Sequence, residues 1–127
     1  MQKGQYDSIR YVGQELHLAL RRLFTKNQYG EIAIHHRDDE TKNESLISYS
    51  VYGLEVRLFI SKADKGYHLT AQVGAKGSDH LETRADSDIK IKRSKSGRAS
   101  QQRMDDIALQ SIQYLREFHK RKKSDSK

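Results

Sequence analysis

The run Ile47-Ser48-Tyr49-Ser50-Val51-Tyr52-Gly53-Leu54-Glu55-Val56-Arg57-Leu58-Phe59-Ile60 decides the fold. On both sides of Tyr52-Gly53, residues suited to a core recur at every second position, the period of a strand with one buried face. The buried set is odd-numbered up to Val51 and even-numbered from Leu54 on, so the parity flips at Tyr52-Gly53. Two backbones explain a flip. A two-residue hairpin turn sets Val51 opposite Leu54 on the same face, and a bulge bends one long strand; both use the permissive backbone of glycine. The hairpin is the preferred reading.

Working outward, Glu31-Ile32-Ala33-Ile34-His35 reads as a preceding strand, joined to the hairpin by Asp38 to Glu44. Downstream, Tyr67, Leu69, Ala71 and Val73 form another alternating face after the turn Ala63-Asp64-Lys65-Gly66. Gly74 to Ser87 reads as a loop with room for one helical turn from Ser78 to Arg84, and Asp88-Ile89-Lys90-Ile91-Lys92 as a short charged strand suited to a sheet edge. At the flanks the period changes. Ile9, Val12, Leu16, Ala19, Leu20 and Leu23 recur every three or four residues and predict a helix from about Tyr6 to Lys26, with Asp7 and Ser8 placed to cap it. Leu18 and Phe24 fall off that stripe. Met104, Ile107, Ala108, Ile112, Leu115 and Phe118 predict a second helix from about Ser100, its N-cap, to Lys120. The order α-β-β-β-β-β-α predicts a two-layer α+β domain, an antiparallel meander of about five strands with both helices on one face. Residues 1–121 form this single domain, and 122–127 are expected as a disordered basic and polar tail.

The 127 residues contain no cysteine, which excludes disulfides, thiolate metal sites and thiol nucleophiles. They contain no proline either, where about six would be expected from average usage, so there is no Pro-rich linker. No apolar run approaches the ~20 residues of a membrane-spanning helix. No apolar stretch follows Met1-Gln2-Lys3-Gly4, so no signal peptide is expected and a cytoplasmic location is the reading.

The net charge of +7 is unevenly spread: +3 over residues 1–27, −2 over 28–75 and +6 over 76–127. Lys90, Lys92, Arg93, Lys95, Arg98 and Arg103 follow one another with no acid between, interspersed with Ser94, Ser96, Gly97 and Ser100. Such a loop can track a phosphate backbone, with the helix N-terminus just downstream offering free N–H donors. Arg116, Lys120, Arg121, Lys122 and Lys123 close the last helix, where cations also compensate the helix dipole. The candidate nucleic-acid-binding residues are therefore Lys90, Lys92, Arg93, Lys95, Arg98 and Arg103, with Lys120 and Arg121 second.

A helix, an antiparallel meander and a basic loop entering a final helix resemble the topology of double-stranded-RNA-binding domains. This chain has more strands and greater length, and no motif aligns residue by residue, so no functional residue is carried over.

His35-His36-Arg37-Asp38-Asp39-Glu40 is the densest polar stretch, but adjacent histidines on a strand project to opposite faces and Arg37 repels a cation, so no metal site is assigned. Val73-Gly74-Ala75-Lys76-Gly77-Ser78 has the glycines of a phosphate loop without the spacing of one. Among the seven tyrosines, Tyr49 and Tyr67 fall on the core face with hydroxyls expected at its rim, and Tyr52 lies near a turn. No serine elbow, paired catalytic carboxylates or nucleotide fingerprint is present, and no cofactor is expected.

The reading is a non-enzymatic accessory domain that binds an anionic partner, nucleic acid first. The alternative is a protein-interaction adaptor or inhibitor, from a phage or other mobile element, that occupies a partner protein's surface. Leu18 and Phe24 are the clues for that alternative, and a homodimer through the same surface is compatible with it.

Overall fold

A computed structural model describes residues 9–26, 32–64, 66–91 and 101–125. Helix α1 (Ile9–Lys26) precedes strands β1 (Ile34–Asp39), β2 (Glu44–Val51), β3 (Leu54–Ala63), β4 (Gly66–Ala75) and β5 (Glu82–Ile89), and helix α2 (Gln101–Asp125) follows. The sheet order is β1-β2-β3-β4-β5, all neighbours antiparallel, so the meander is a five-strand sheet with β1 and β5 at its edges.

The parity flip is a hairpin. Val51 pairs with Leu54, and Tyr52 and Gly53 both have positive φ, 56° and 74°, which makes the turn type I′. Ile47 and Tyr49 therefore share a face with Leu54, Val56, Leu58 and Ile60, and Leu69, Ala71 and Val73 continue it across β4. Both helices cover that face, α1 over β1 to β3 and α2 over β3 and β4, and they pack against one another. One apolar core results, with Leu16, Leu20, Ile47, Leu58, Met104 and Ile112 essentially without solvent contact.

Several boundaries differ from the sequence reading. β1 starts at Ile34 and extends through His36 to Asp39, so Asp38 and Asp39 belong to the strand and the turn is confined to residues 40–43. This strand carries polar side chains on both faces, so alternation could not locate it.

β5 covers Glu82–Ile89, where a loop and a helical turn were expected, and the charged strand begins six residues earlier than Asp88. The register shifts between Ala71 and Gln72, with Ala71 opposite Ala85 and Gln72 opposite Thr83, which leaves Arg84 as an extra residue. A bulge breaks period two, and backbone pairing to β4 holds a polar edge strand without an apolar stripe.

The expected rim position of the tyrosine hydroxyls fails for Tyr49. Its ring is buried, and its hydroxyl lies 2.7 Å from Ser111 Oγ on α2, inside the core. Helix α2 continues through Asp125, into the segment expected as tail. Asp7, Ser8, Glu31 and Ser100 lie outside the described residues.

Candidate functional site

The charges are sorted by layer. Residues 34–89, which hold all five strands, carry seven Lys or Arg against ten Asp or Glu, whereas residues 90–127 carry twelve against four. Residues 1–33, including α1, carry five against three. The positive charge therefore belongs to the two helices and the segments flanking them.

The candidate cations that are described do not form one patch. Lys90 is exposed just past β5, beside Asp64 and Gly66 of the β3–β4 turn. Arg121 donates to Glu82 at the opposite end of β5, about 25 Å away at the rise of an extended strand. Lys120 is exposed next to Arg121, and half-buried Arg103 stands 17 residues earlier on α2, again about 25 Å by helical rise. Lys92, Arg93, Lys95 and Arg98 lie outside the described residues, in the segment joining Ile91 to Gln101.

Arg121 is part of a lattice that ties α2 to the β5 edge. Arg84, the bulge residue, bonds Glu82 at 3.1 Å and Glu117 at 2.8 Å and lies over the Tyr114 ring, while Arg121 reaches Glu82 and covers Phe118. The Arg121 and Arg84 guanidiniums hold the Glu82 carboxyl below its usual range. Of the two cations expected at the helix end, Lys120 is the one whose charge is not committed to that lattice. The outer face of the sheet is the acidic one: His68 bridges Asp86 and Asp88, and those two hydrogen bonds raise its pKa.

A second polar constellation, built on His36 and Asp38 of the stretch to which the sequence reading assigned no metal site, lies between α1 and the sheet. His36 faces α1 while His35 faces solvent, as strand alternation requires. His36 Nε2 is 2.7 Å from Asp38 Oδ1 and 3.2 Å from Ser45 Oγ, and the Ser45 hydroxyl donates to the same carboxylate oxygen at 2.5 Å. His36 Nδ1 lies 3.3 Å from His17 Nδ1 on α1, so one of the two rings donates to the other. Despite its Ser, His and Asp, this is not a nucleophile triad. A base must hold serine on one ring nitrogen and carboxylate on the other, whereas here both meet Nε2 and Ser45 is buried. Among the described residues no group of three or more metal-ligating side chains converges. The signal in the sequence was the i, i+2 pair His36 and Asp38, legible only once the strand is known to extend that far.

No family model, curated protein or solved structure matches this chain. Function therefore rests on the chain's own geometry and charge.

Burial lowers the pKa of His17, and the charges of His36 and Arg21 lower it further, so folding favours the neutral ring. Unfolding releases it to the ordinary imidazole value of about 6.5. Between that value and its lower folded pKa the unfolded chain binds more protons, so the protein is expected to lose stability as pH falls below about 6.5, with no further loss from His17 below its folded pKa. The raised pKa of His68 acts in the other window, its contribution being full below the unfolded value and lost as pH rises through the folded one. Urea midpoints at pH 7 and pH 5 should differ less in His17→Gln than in the wild type. Equal differences would assign the acid sensitivity to other groups.

Proposed function

We propose that this protein is a non-enzymatic accessory domain that binds nucleic acid through electrostatic contacts to the phosphate backbone. The observation that carries the reading is the sorting of charge, an acidic sheet against strongly basic helical flanks. Lys90, Lys92, Arg93, Lys95, Arg98 and Arg103 supply the main contacts, and Lys120 with Arg121 a second, separate one. Arg121 contributes less than Lys120, because its guanidinium already neutralises Glu82. No helix among the described residues is long and apolar enough to cross a membrane.

Backbone contacts imply affinity that falls steeply with salt and depends little on sequence. Fluorescence anisotropy with short duplexes and single strands, over a salt series, tests this beside a variant with Lys92, Arg93, Lys95 and Arg98 changed to Ala. The variant is expected to bind far more weakly at low salt, and its log–log salt slope on duplex DNA to be shallower by about three to four units if all four residues meet phosphates. Wild-type affinity that does not change with salt, or no binding at low salt, overturns the reading.

The alternative, a protein-interaction adaptor or inhibitor, keeps one supporting feature. Leu18 is 45% exposed and Leu109 44% exposed, both on the helical layer. Leu18 stands beside Arg21, Arg22 and Lys26, and Leu109 lines the groove between α1 and α2 with Ala19, Leu23, Asp105 and Asp106. Phe24, its other clue, is buried in the core.

A further inference from the structure

Tyr52 occupies a backbone position that does not suit its side chain. It is the first central residue of a type I′ turn, with φ of 56°, where Asn, Asp or Gly is favoured and a bulky side chain is strained. Burial does not offset that strain, because Tyr52 is 73% exposed, the most exposed large hydrophobic among the described residues. Such an outlier points to use by a ligand.

The surroundings indicate which ligand. The Tyr52 ring lies 5.7 Å from the His119 ring, centroid to centroid, with the planes 30° apart, so two aromatic surfaces from different elements form a tilted pair. The Lys76 backbone N–H donates to Gly53 O at 2.9 Å, which brings the β4–β5 turn beside the β2–β3 turn. Lys76 and Lys120 are exposed there, and a Cβ at Gly53 or Gly77 would meet open space, so both turns leave room for a ligand. Of the acids near these turns and this end of α2, Glu55, Glu82 and Glu117 are paired with arginines and Asp79 is exposed.

We infer that Tyr52 and His119 form a stacking platform for the unpaired bases of a single-stranded nucleic acid, with Lys76 and Lys120 meeting its phosphates. The inference rests on the nucleic-acid reading above and narrows it, since bases in a duplex do not present their faces to a side chain. It also assigns a purpose to the exposed lysine at the far end of α2 from Arg103.

The test compares a labelled single-stranded oligothymidylate with an abasic strand of the same length. Tyr52→Asn places a residue suited to positive φ in the turn, so this variant is expected to melt at or above the wild-type temperature. On the thymidylate strand it is expected to lose roughly five-fold to a hundred-fold in affinity, with no change on the abasic strand. Tyr52→Trp keeps a stacking surface and is expected to bind as the wild type does. If Tyr52→Asn binds thymidylate as the wild type does while the Lys92, Arg93, Lys95 and Arg98 variant is weakened, the platform is wrong and the electrostatic reading stands. Equal losses on both strands also overturn the platform. Failure of the wild type to bind any strand or duplex at low salt removes both.

Discussion

Gly13→Ala is expected to destabilise the protein by about 2–4 kcal/mol, although alanine is the better helix former by about 1 kcal/mol. Gly13 lies in the second turn of α1, inside the helix, where a glycine is ordinarily a defect. A Cβ there would stand 2.2 Å from Ser45 Oγ, 2.8 Å from His36 Nε2 and 3.0 Å from Asp38 Oδ1. These atoms cannot move away cheaply. Ser45 is buried, and swinging its hydroxyl aside breaks the bond to Asp38 and leaves a polar group unsatisfied between helix and sheet. The missing side chain is what allows α1 to lie close enough for the His36–Asp38–Ser45 group to fit beneath it. Thermal or urea unfolding followed by circular dichroism reads the effect. The double variant Gly13→Ala, Ser45→Ala removes the nearest atom and should recover part of the loss, a coupling of about 1 kcal/mol or more. A Gly13→Ala protein that unfolds at or above the wild-type midpoint would show that α1 does not approach the sheet this closely.

Phe24→Ala is expected to cost about 3–5 kcal/mol, while Leu18→Ala stays within about 0.5 kcal/mol of the wild type. Both residues depart from the main stripe of α1, and in the sequence they look alike. The sheet separates them. Phe24 is buried with its ring edge-on to Tyr49, centroids 4.9 Å apart at 71°, in the group that also brings Tyr49 to Ser111 of α2. Removing the phenyl ring leaves a cavity between α1 and β2 and forfeits an aromatic pair. Leu18 loses little, because nearly half of it is already in water. The same contrast bears on function: a partner protein seated on the helical layer would be weakened by Leu18→Ala with folding intact, whereas any loss of binding in Phe24→Ala would follow from loss of the fold. Equal destabilisation by the two substitutions would contradict the burial pattern.

The candidate site was legible in one respect and hidden in two. The run Lys90 to Arg103 and the cluster ending α2 were visible as charge, because charge is a property of composition that needs no fold. Whether a cation is available is a different matter. Arg121 and Lys120 are neighbours in sequence, yet one closes a lattice with Glu82 and Arg84 while the other takes no part in it, and the partner Glu82 is 39 residues away. Tyr52 is the second case. The sequence placed it near a turn, but only the backbone angle and the His119 ring from α2 mark it out from the buried tyrosines.

By itself the sequence determined the two amphipathic helices, the change of face at Tyr52-Gly53 and the face on which the core lies, since each follows from local periodicity; the pairing of Val51 with Leu54 made that change a hairpin and not a bulge. It also determined the excess positive charge and its bias toward the C-terminal part. Tertiary structure decided the limits of β1 and of β5, whose polar residues are held by hydrogen bonds to a neighbouring strand and not by a buried stripe. It decided as well that Gly13 must lack a side chain, that Phe24 is core and Leu18 surface, and that His17 meets His36. Those outcomes depend on atoms distant along the chain brought within a few ångströms, a distance over which no pattern of neighbours in sequence carries information.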